Sequence, residues 1–333
     1  MTSPLVFAGF VLAVAVSWLV KRAAILDHPN QRSSHSKPVP RSGGFGVLAA
    51  IGFGLLLAAM NSDGPAVLPL ALAGVGFGIL GFWDDLAAPA TILKFAIIVV
   101  LAAGIVWLAG PVEAIGLLGD TAFALPFVVG LVGSVLWIFV AANATNFMDG
   151  SDGLIVAVFL PVGLGLALIG DGAVATVGLM LAAGLVGFAV FNVPRAVLFL
   201  GDVGSLSIGA VFAVAALLLI EAPGQVWLFP LMILPVLTDV LLTLVGKLRH
   251  RIGFLAPHRT HAYQLLIRMG WAHWQVALGF LILSSVCTGV TCWMYESETH
   301  ALALPVFIAA VIVLSGLHAT VRLKASRQGL LKP

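Results

Sequence analysis

The sequence predicts an all-α polytopic membrane protein with about eleven transmembrane helices, and three observations predict it. Hydrophobic residues make up 61% of the 333 residues and charged residues only 9%. Mean hydropathy is +1.14. The apolar residues also fall in long unbroken runs. A soluble domain carries about a quarter charged residues, so this chain lacks the polar atoms to clothe a water-facing surface. A membrane β-barrel would show short segments of period two, unlike the continuous run 203–220. The net charge of +2 offers little attraction to a phosphate backbone, which argues against a nucleic-acid partner. Cys287 and Cys292 share one apolar run and suggest neither a disulfide framework nor a metal knuckle.

About 20 apolar residues cross a bilayer core as a helix. Runs bounded by charges and Pro/Gly/Asn/Asp clusters lie near 4–20, 44–60, 67–83, 92–109, 125–143, 153–169, 173–190, 203–220, 226–246, 274–295 and 301–320. The first leads straight into Lys21 and Arg22 without a small-residue cleavage site, so it reads as a retained helix. With eleven spans, the loops after odd-numbered helices share one face, and that face receives all 16 Lys and Arg. The opposite loops hold Asp63, Glu113, Asp120, Asp171, Glu221, Glu296 and Glu298. The positive-inside rule then makes the basic face cytoplasmic, with the N-terminus outside and the C-terminus inside. Residues 1–333 read as a single integral membrane domain.

Seven acids remain on the basic face: Asp27, Asp84, Asp85, Asp149, Asp152, Asp202 and Asp239. Carboxylates at or within a membrane are costly and by default mark a site. Asp84-Asp85 closes the third run, and two adjacent carboxylates repel unless a proton or a cation separates them. They read either as solvated caps or as a proton acceptor or Mg²⁺ anchor. After the fifth run, Asn143, Asn146, Asp149 and Asp152 recur every three residues, so they lie on neighbouring parts of one helix face. Gly150 and Gly153 beside them free the backbone for a turn. Asp202 sits between glycines at the start of the eighth run, after Phe199. It suits a helix cap and equally an anion-plus-metal site. His258, Arg259 and His261 lie in the largest basic loop, suited to a diphosphate, a sugar hydroxyl or lipid headgroups. Two histidines are too few for a structural zinc site. Lys37 and Arg41 in the first basic loop indicate an anionic partner.

Taken in order, GFWDDL, NATNFMDGSDGL, FNVPRAVLFLGDVGS and HRTHAYQLL resemble the polyprenyl-phosphate N-acetylhexosamine-1-phosphate transferases of the glycosyltransferase 4 family. RSSHSKPVPRSGG resembles the bacterial GlcNAc-1-phosphate branch. The resemblance runs from about residue 26 to 266. It implies transfer of a phospho-sugar from a UDP-N-acetylhexosamine to undecaprenyl phosphate at the cytoplasmic face of a bacterial inner membrane, with Mg²⁺ (or Mn²⁺ in its place) and release of UMP. By motif, Asp84, Asp85 and Asp149 are the implied catalytic acids. Asp202, with Asp84, Asp85 and Asp149, is the implied metal set. Asn143, Asn146, Asp152, Phe199, Lys94, His258, Arg259 and His261 are the implied nucleotide-sugar contacts. The histidine motif departs from the His-rich string of the muramoyl enzymes, which points to enzymes starting O-antigen or other surface glycans. A glutamine often found shortly after the lysine is absent from KFAIIVVLAA.

Two other classes compete, a transporter and a lipid-carrier binding protein without turnover. Transporters place broken helices and ions near the midplane, often in repeated halves, whereas these motifs cluster at one boundary. The sequence leaves the oligomeric state open, a homodimer included.

Overall fold

The computed structural model describes residues 2–23, 25–27, 38–61, 64–119, 121–249 and 259–331. Among these, the helices are α1 (Thr2–Ala23), α2 (Gly44–Met60), α3 (Gly64–Ala87), α4 (Thr91–Ala109), α5 (Phe127–Met148), α6 (Leu154–Ile169) and α7 (Gly172–Asn192). There follow α8 (Gly201–Leu218), α9 (Leu228–Met232), α10 (Leu234–Arg249), α11 (Ala262–Arg268), α12 (His273–Glu296) and α13 (Ala303–Arg327). Among the described residues, eight helices are long and apolar enough to cross a membrane. Two more apolar helices, α2 and α6, are shorter at 17 and 16 residues.

The apolar run 226–246 reads as one span, and the structure shows it broken. Pro223–Met232 and Leu234–Arg249 meet at 81°. Pro235 explains the break. It has no N–H to donate to the carbonyl four residues back, and its ring clashes there. In the first turn of α10 no such donor is needed. Two short antiparallel ribbons also interrupt the helical pattern. β1 (Leu26–Asp27) pairs with β2 (Val39–Pro40), and β3 (Ala114–Gly116) with β4 (Ala122–Ala124).

Helix α8 forms the centre. Every residue from Val203 to Ala216 is buried, as expected of a helix apolar all round. It packs against α2, α3 and α5. By contrast little of α1 and α13 is buried, which suits a protein whose solvent is lipid. The first turn of α8 is approached at backbone distance on two sides. A Cβ on Gly81 of α3 would lie 2.2 Å from the Asp202 carbonyl oxygen, and one on Gly44 of α2 would lie 2.2 Å from the Gly204 Cα. Small residues permit such close packing where lipid supplies no drive to associate. The C-terminal end of α3, the N-terminal ends of α2 and α8 and the start of α4 are thereby gathered at one end of the bundle.

Candidate active site

The site begins at the N-terminus of α8, whose first N–H groups need partners from outside the helix. Asp85 of α3 supplies them. Its Oδ1 accepts from the Asp202 N–H at 3.1 Å and its Oδ2 from the Val203 N–H at 3.5 Å. Ser42 Oγ donates to Oδ2 at 2.7 Å, and Arg41 Nη1 stands 3.9 Å from Oδ1. Gly201 holds φ +75°, and a Cβ there would meet Asp85 Oδ2 at 2.5 Å. The residue therefore has to be glycine on both steric and conformational grounds. Asp85, at 2% exposure, thus fixes backbone.

Asp84, its neighbour, faces a different partner. Lys94 near the start of α4 donates to Asp84 Oδ2 and, at 2.6 Å, to Asp202 Oδ2. Three helices therefore meet through one ammonium group held by two carboxylates. The Asp84 and Asp202 side chains keep 17% and 29% exposure, so these two acids can reach a ligand where Asp85 cannot. Asn146 of α5 adds its amide beside Asp202, donating to Ser205 Oγ at 3.0 Å.

α5 runs on through Asn143 and Asn146 and stops at Met148. Asn143 turns back on its own helix, donating to the Phe139 carbonyl at 2.8 Å. Asp149 caps the helix end and accepts a hydrogen bond from the Gly201 N–H, which favours its charged form. Desolvation prevails, together with the charges of Asp202 and Asp85, and pushes the Asp149 carboxyl well above the usual carboxylate range. An acid so raised is nearer the condition in which it can take or give a proton at neutral pH.

Asp152 stands apart from this group. Its Oδ2 accepts from the Ala196 N–H at 3.1 Å, and its own N–H donates to His273 Nδ1 at 3.1 Å. Asn192 ties the same turn down, accepting from the Gly153 N–H at 2.7 Å and donating to the Leu198 carbonyl at 3.0 Å. Phe199 then pairs along residues 40–44: its N–H donates to the Pro40 carbonyl and its carbonyl accepts from Gly43, both at 2.8 Å. The end of the first basic loop and the Phe199–Asp202 segment are therefore side by side. Arg41 bridges Asp27 at 3.8 Å and Asp85. Lys37 and His258 lie outside the described residues.

The histidine motif reaches the same end through aromatic packing. The His261 ring stacks on Phe147 at 6.4 Å and on Tyr263 at 5.9 Å, tilted 27° and 20° from them. Tyr263 donates its hydroxyl to the Phe147 carbonyl at 3.2 Å, and a Cβ on Gly150 would collide with that hydroxyl. Burial, with the Asp239 and Asp149 charges, raises the Tyr263 phenol above its ordinary range, so it stays a neutral donor. Arg259 is half-buried beside this packing.

Asp84 and Asp202 converge, and Asp85 and Asp149 instead meet backbone N–H groups. Among the described residues no three His, Cys, Asp or Glu side chains gather as a protein-only metal cage. Mg²⁺ does not require one, since one or two carboxylates with substrate phosphates and waters suffice. The facing carboxylates of Asp84 and Asp202 fit that donor set. Sequence reasoning singled out neither Ser42, Ser205, Asn192 nor His273 as a site residue. Asn192 offered a signal, a polar side chain at the end of an apolar helix before Val193-Pro194.

Residues 67–220, which carry Asp84, Asp85, Lys94, the α5 motif and Asp202, match the family model described as Glycosyl transferase family 4. The match covers just under half of the chain and makes this segment similar to that family. It is 26% identical over 315 residues to a probable undecaprenyl-phosphate N-acetylglucosaminyl 1-phosphate transferase of Bacillus subtilis (strain 168), covering 86% of this chain and 85% of that one. It is 27% identical to an undecaprenyl-phosphate alpha-N-acetylglucosaminyl 1-phosphate transferase of Thermotoga maritima, covering 78% and 79%. A phospho-N-acetylmuramoyl-pentapeptide-transferase of Deinococcus radiodurans is 36% identical, but over only 49% of this chain and 48% of its own. The Glycosyl transferase family 4 match stops before α10, so the histidine motif lies beyond it.

Proposed function

We propose that this chain transfers a phospho-N-acetylhexosamine from a UDP-sugar to undecaprenyl phosphate, releasing UMP and starting a surface glycan such as O-antigen. The observation that carries the reading is the Asp84–Lys94–Asp202 group at one end of an apolar bundle. A charged cluster of this kind is costly in lipid and unneeded for packing. The relatives of similar length act, by name, on undecaprenyl phosphate and N-acetylglucosaminyl 1-phosphate. In the reaction an oxygen of the acceptor phosphate attacks the phosphorus next to the sugar. The bond from that phosphorus to the bridging oxygen breaks, and UMP leaves with the electron pair. Direct attack is favoured because the acceptor phosphate is already ionised near neutral pH.

Lys94 would donate to phosphate oxygens, and the Asn146 amide and Arg259 guanidinium would hold the donor. Asp84 and Asp202 would hold Mg²⁺, which neutralises diphosphate charge when bound there. Asp149 stands by as proton acceptor. The active face is cytoplasmic, in an inner membrane crossed eleven times if α2, α6 and the bent α9–α10 pair each cross once. With the N-terminus outside, cysteines at Asp171 and Ser297 should react with an impermeant reagent in sealed cells, and one at Arg259 should not. The direct test is UMP release from UDP-GlcNAc by purified protein with undecaprenyl phosphate. Release that does not depend on the lipid acceptor, or none with any UDP-N-acetylhexosamine, would refute the reading.

A further inference from the structure

Away from the Lys94 cluster, a second buried carboxylate collects an unusual number of partners. Asp239 of α10 is 3% exposed. Its Oδ1 accepts from the Ala262 N–H at 2.7 Å and its Oδ2 from the Tyr263 N–H at 3.1 Å. Those are the first N–H groups of α11, which its own residues leave open. Thr243 Oγ1 lies 3.3 Å from Oδ1, His261 Nδ1 3.4 Å and His318 Nε2 3.7 Å. A carboxylate in this position gathers α10, α11 and α13 onto one residue.

The carbonyls just before α11 are held as well. Arg268 Nη1 donates to the Arg259 carbonyl at 3.0 Å, and Arg322 Nη1 to the Thr260 carbonyl at 3.1 Å. Residues 259–263 are therefore fixed from both sides: two arginines on their carbonyls and one carboxylate on their N–H groups and on His261. The result places the His261 ring against Phe147, two residues before Asp149.

We propose that Asp239 is a positioning residue for donor binding, holding His261 and the start of α11 at the end of α5. This rests on the donor-binding role given above to Arg259; His261, at 4% exposure, is as enclosed as Asp239 and acts through the segment it anchors. Asp239 itself, enclosed by its own partners, touches no substrate. The carboxylate is required because two N–H groups need two acceptor oxygens. A carboxamide offers one, and turns an N–H toward another N–H.

The test compares Asp239→Asn, His261→Ala and the double variant in steady-state kinetics, with UDP-GlcNAc and undecaprenyl phosphate varied in turn. Asp239→Asn should raise the donor KM roughly tenfold and leave the acceptor KM within about twofold. The double variant should be no worse than His261→Ala, because residues acting through one contact do not add. Hydrogen exchange supplies a readout free of turnover, with protection lost over residues 261–266 in Asp239→Asn and kept in α3 and α8. If His261→Ala raises the donor KM while Asp239→Asn does not, the positioning role falls and the donor-binding reading stands. If His261→Ala leaves the donor KM unchanged, the positioning role falls, and Arg259→Ala alone then tests the donor-binding reading. Additive effects in the double variant, or equal losses toward both substrates, would also overturn the positioning role.

Discussion

Two helices in this molecule, α8 and α11, start on an aspartate borrowed from another helix, and the two starts are put to different use. At α8 the capping carboxylate is Asp85, held by Ser42 and two backbone N–H groups. The helix it caps then presents an acid of its own, Asp202, to Lys94 and Asp84. At α11 the capping carboxylate is Asp239, and two imidazoles and a hydroxyl close around it. What emerges there is a stacked ring, His261, with no second acid. A buried carboxylate is tolerated when hydrogen bonds satisfy it. At α8 that arrangement leaves Asp84, one residue away, free for chemistry; at α11 it leaves a positioned loop. The lesson is that an adjacent pair such as Asp84-Asp85 divides its labour by partner.

The strongest test of that division lies at α8. Asp202→Asn and Asp84→Asn remove charge with little change of volume, and each should lower kcat by about a hundred- to thousandfold if it stabilises developing phosphate charge. EDTA should stop transfer and Mg²⁺ or Mn²⁺ should restore it. Thermal unfolding in detergent should come somewhat earlier, because each variant leaves the buried Lys94 with one charged partner where it had two, but the protein should still fold. Near-normal turnover of both variants would place the chemistry elsewhere. Next in size is Arg259→Ala at the α11 start. Losing a charge-assisted contact to the donor, worth about 1.5–3 kcal/mol, should lower kcat/KM for the UDP-sugar roughly ten- to hundredfold. The acceptor KM should hold. A defect repaired by adding anionic lipid would instead assign the loop to headgroups.

Asp85→Asn turns the comparison around. One oxygen must now serve where two accept from Asp202 N–H, Val203 N–H and Ser42, so stability should fall by about 1–3 kcal/mol. Activity of the protein that remains folded should fall far less than in Asp84→Asn. Equal activity losses from the two substitutions, with unfolding unchanged, would show Asp85 to be a chemical group after all.

The helices and most of the α8 site were legible because both depend on local pattern. Apolar runs end where charges and glycines begin, and the observed helix bounds lie within about five residues of the runs, except that α13 continues to Arg327, seven residues past its run. Asn146, Asp149 and Asp202 stood out as polar groups beside apolar spans. The bend at Ile233 was not legible from hydropathy, since Pro230 and Pro235 are apolar while breaking the backbone pattern. Spacing also says which residues share a helix and not which helix ends meet. Asp85 and Asp84 look alike in sequence, and Asp239 looks like any acid in an apolar run. Their partners lie 117 residues away for Asp85 and 23 for Asp239. The role of Ser42 was hidden for the same reason.

The smallest expected effects come from a matched pair of hydroxyl deletions, and they sharpen the comparison most finely. Ser205 Oγ accepts from Asn146 at 3.0 Å and donates to the Gly201 carbonyl at 3.2 Å. Thr243 Oγ1 sits between Asp239 Oδ1 at 3.3 Å and His318 Nε2 at 3.4 Å. Ser205→Ala and Thr243→Val each remove one buried hydroxyl and little volume, so each should cost about 1 kcal/mol of stability. Their kinetic signatures should part. Ser205→Ala loosens the Asn146 amide beside Asp202, so kcat should fall a few-fold. Thr243→Val loosens only the support of Asp239, so a few-fold change should appear in the donor KM. Denaturant unfolding in detergent together with kcat and both KM values would measure this. Identical kinetic changes from the two would mean that the two helix starts act as one unit, and the division drawn between them would fail.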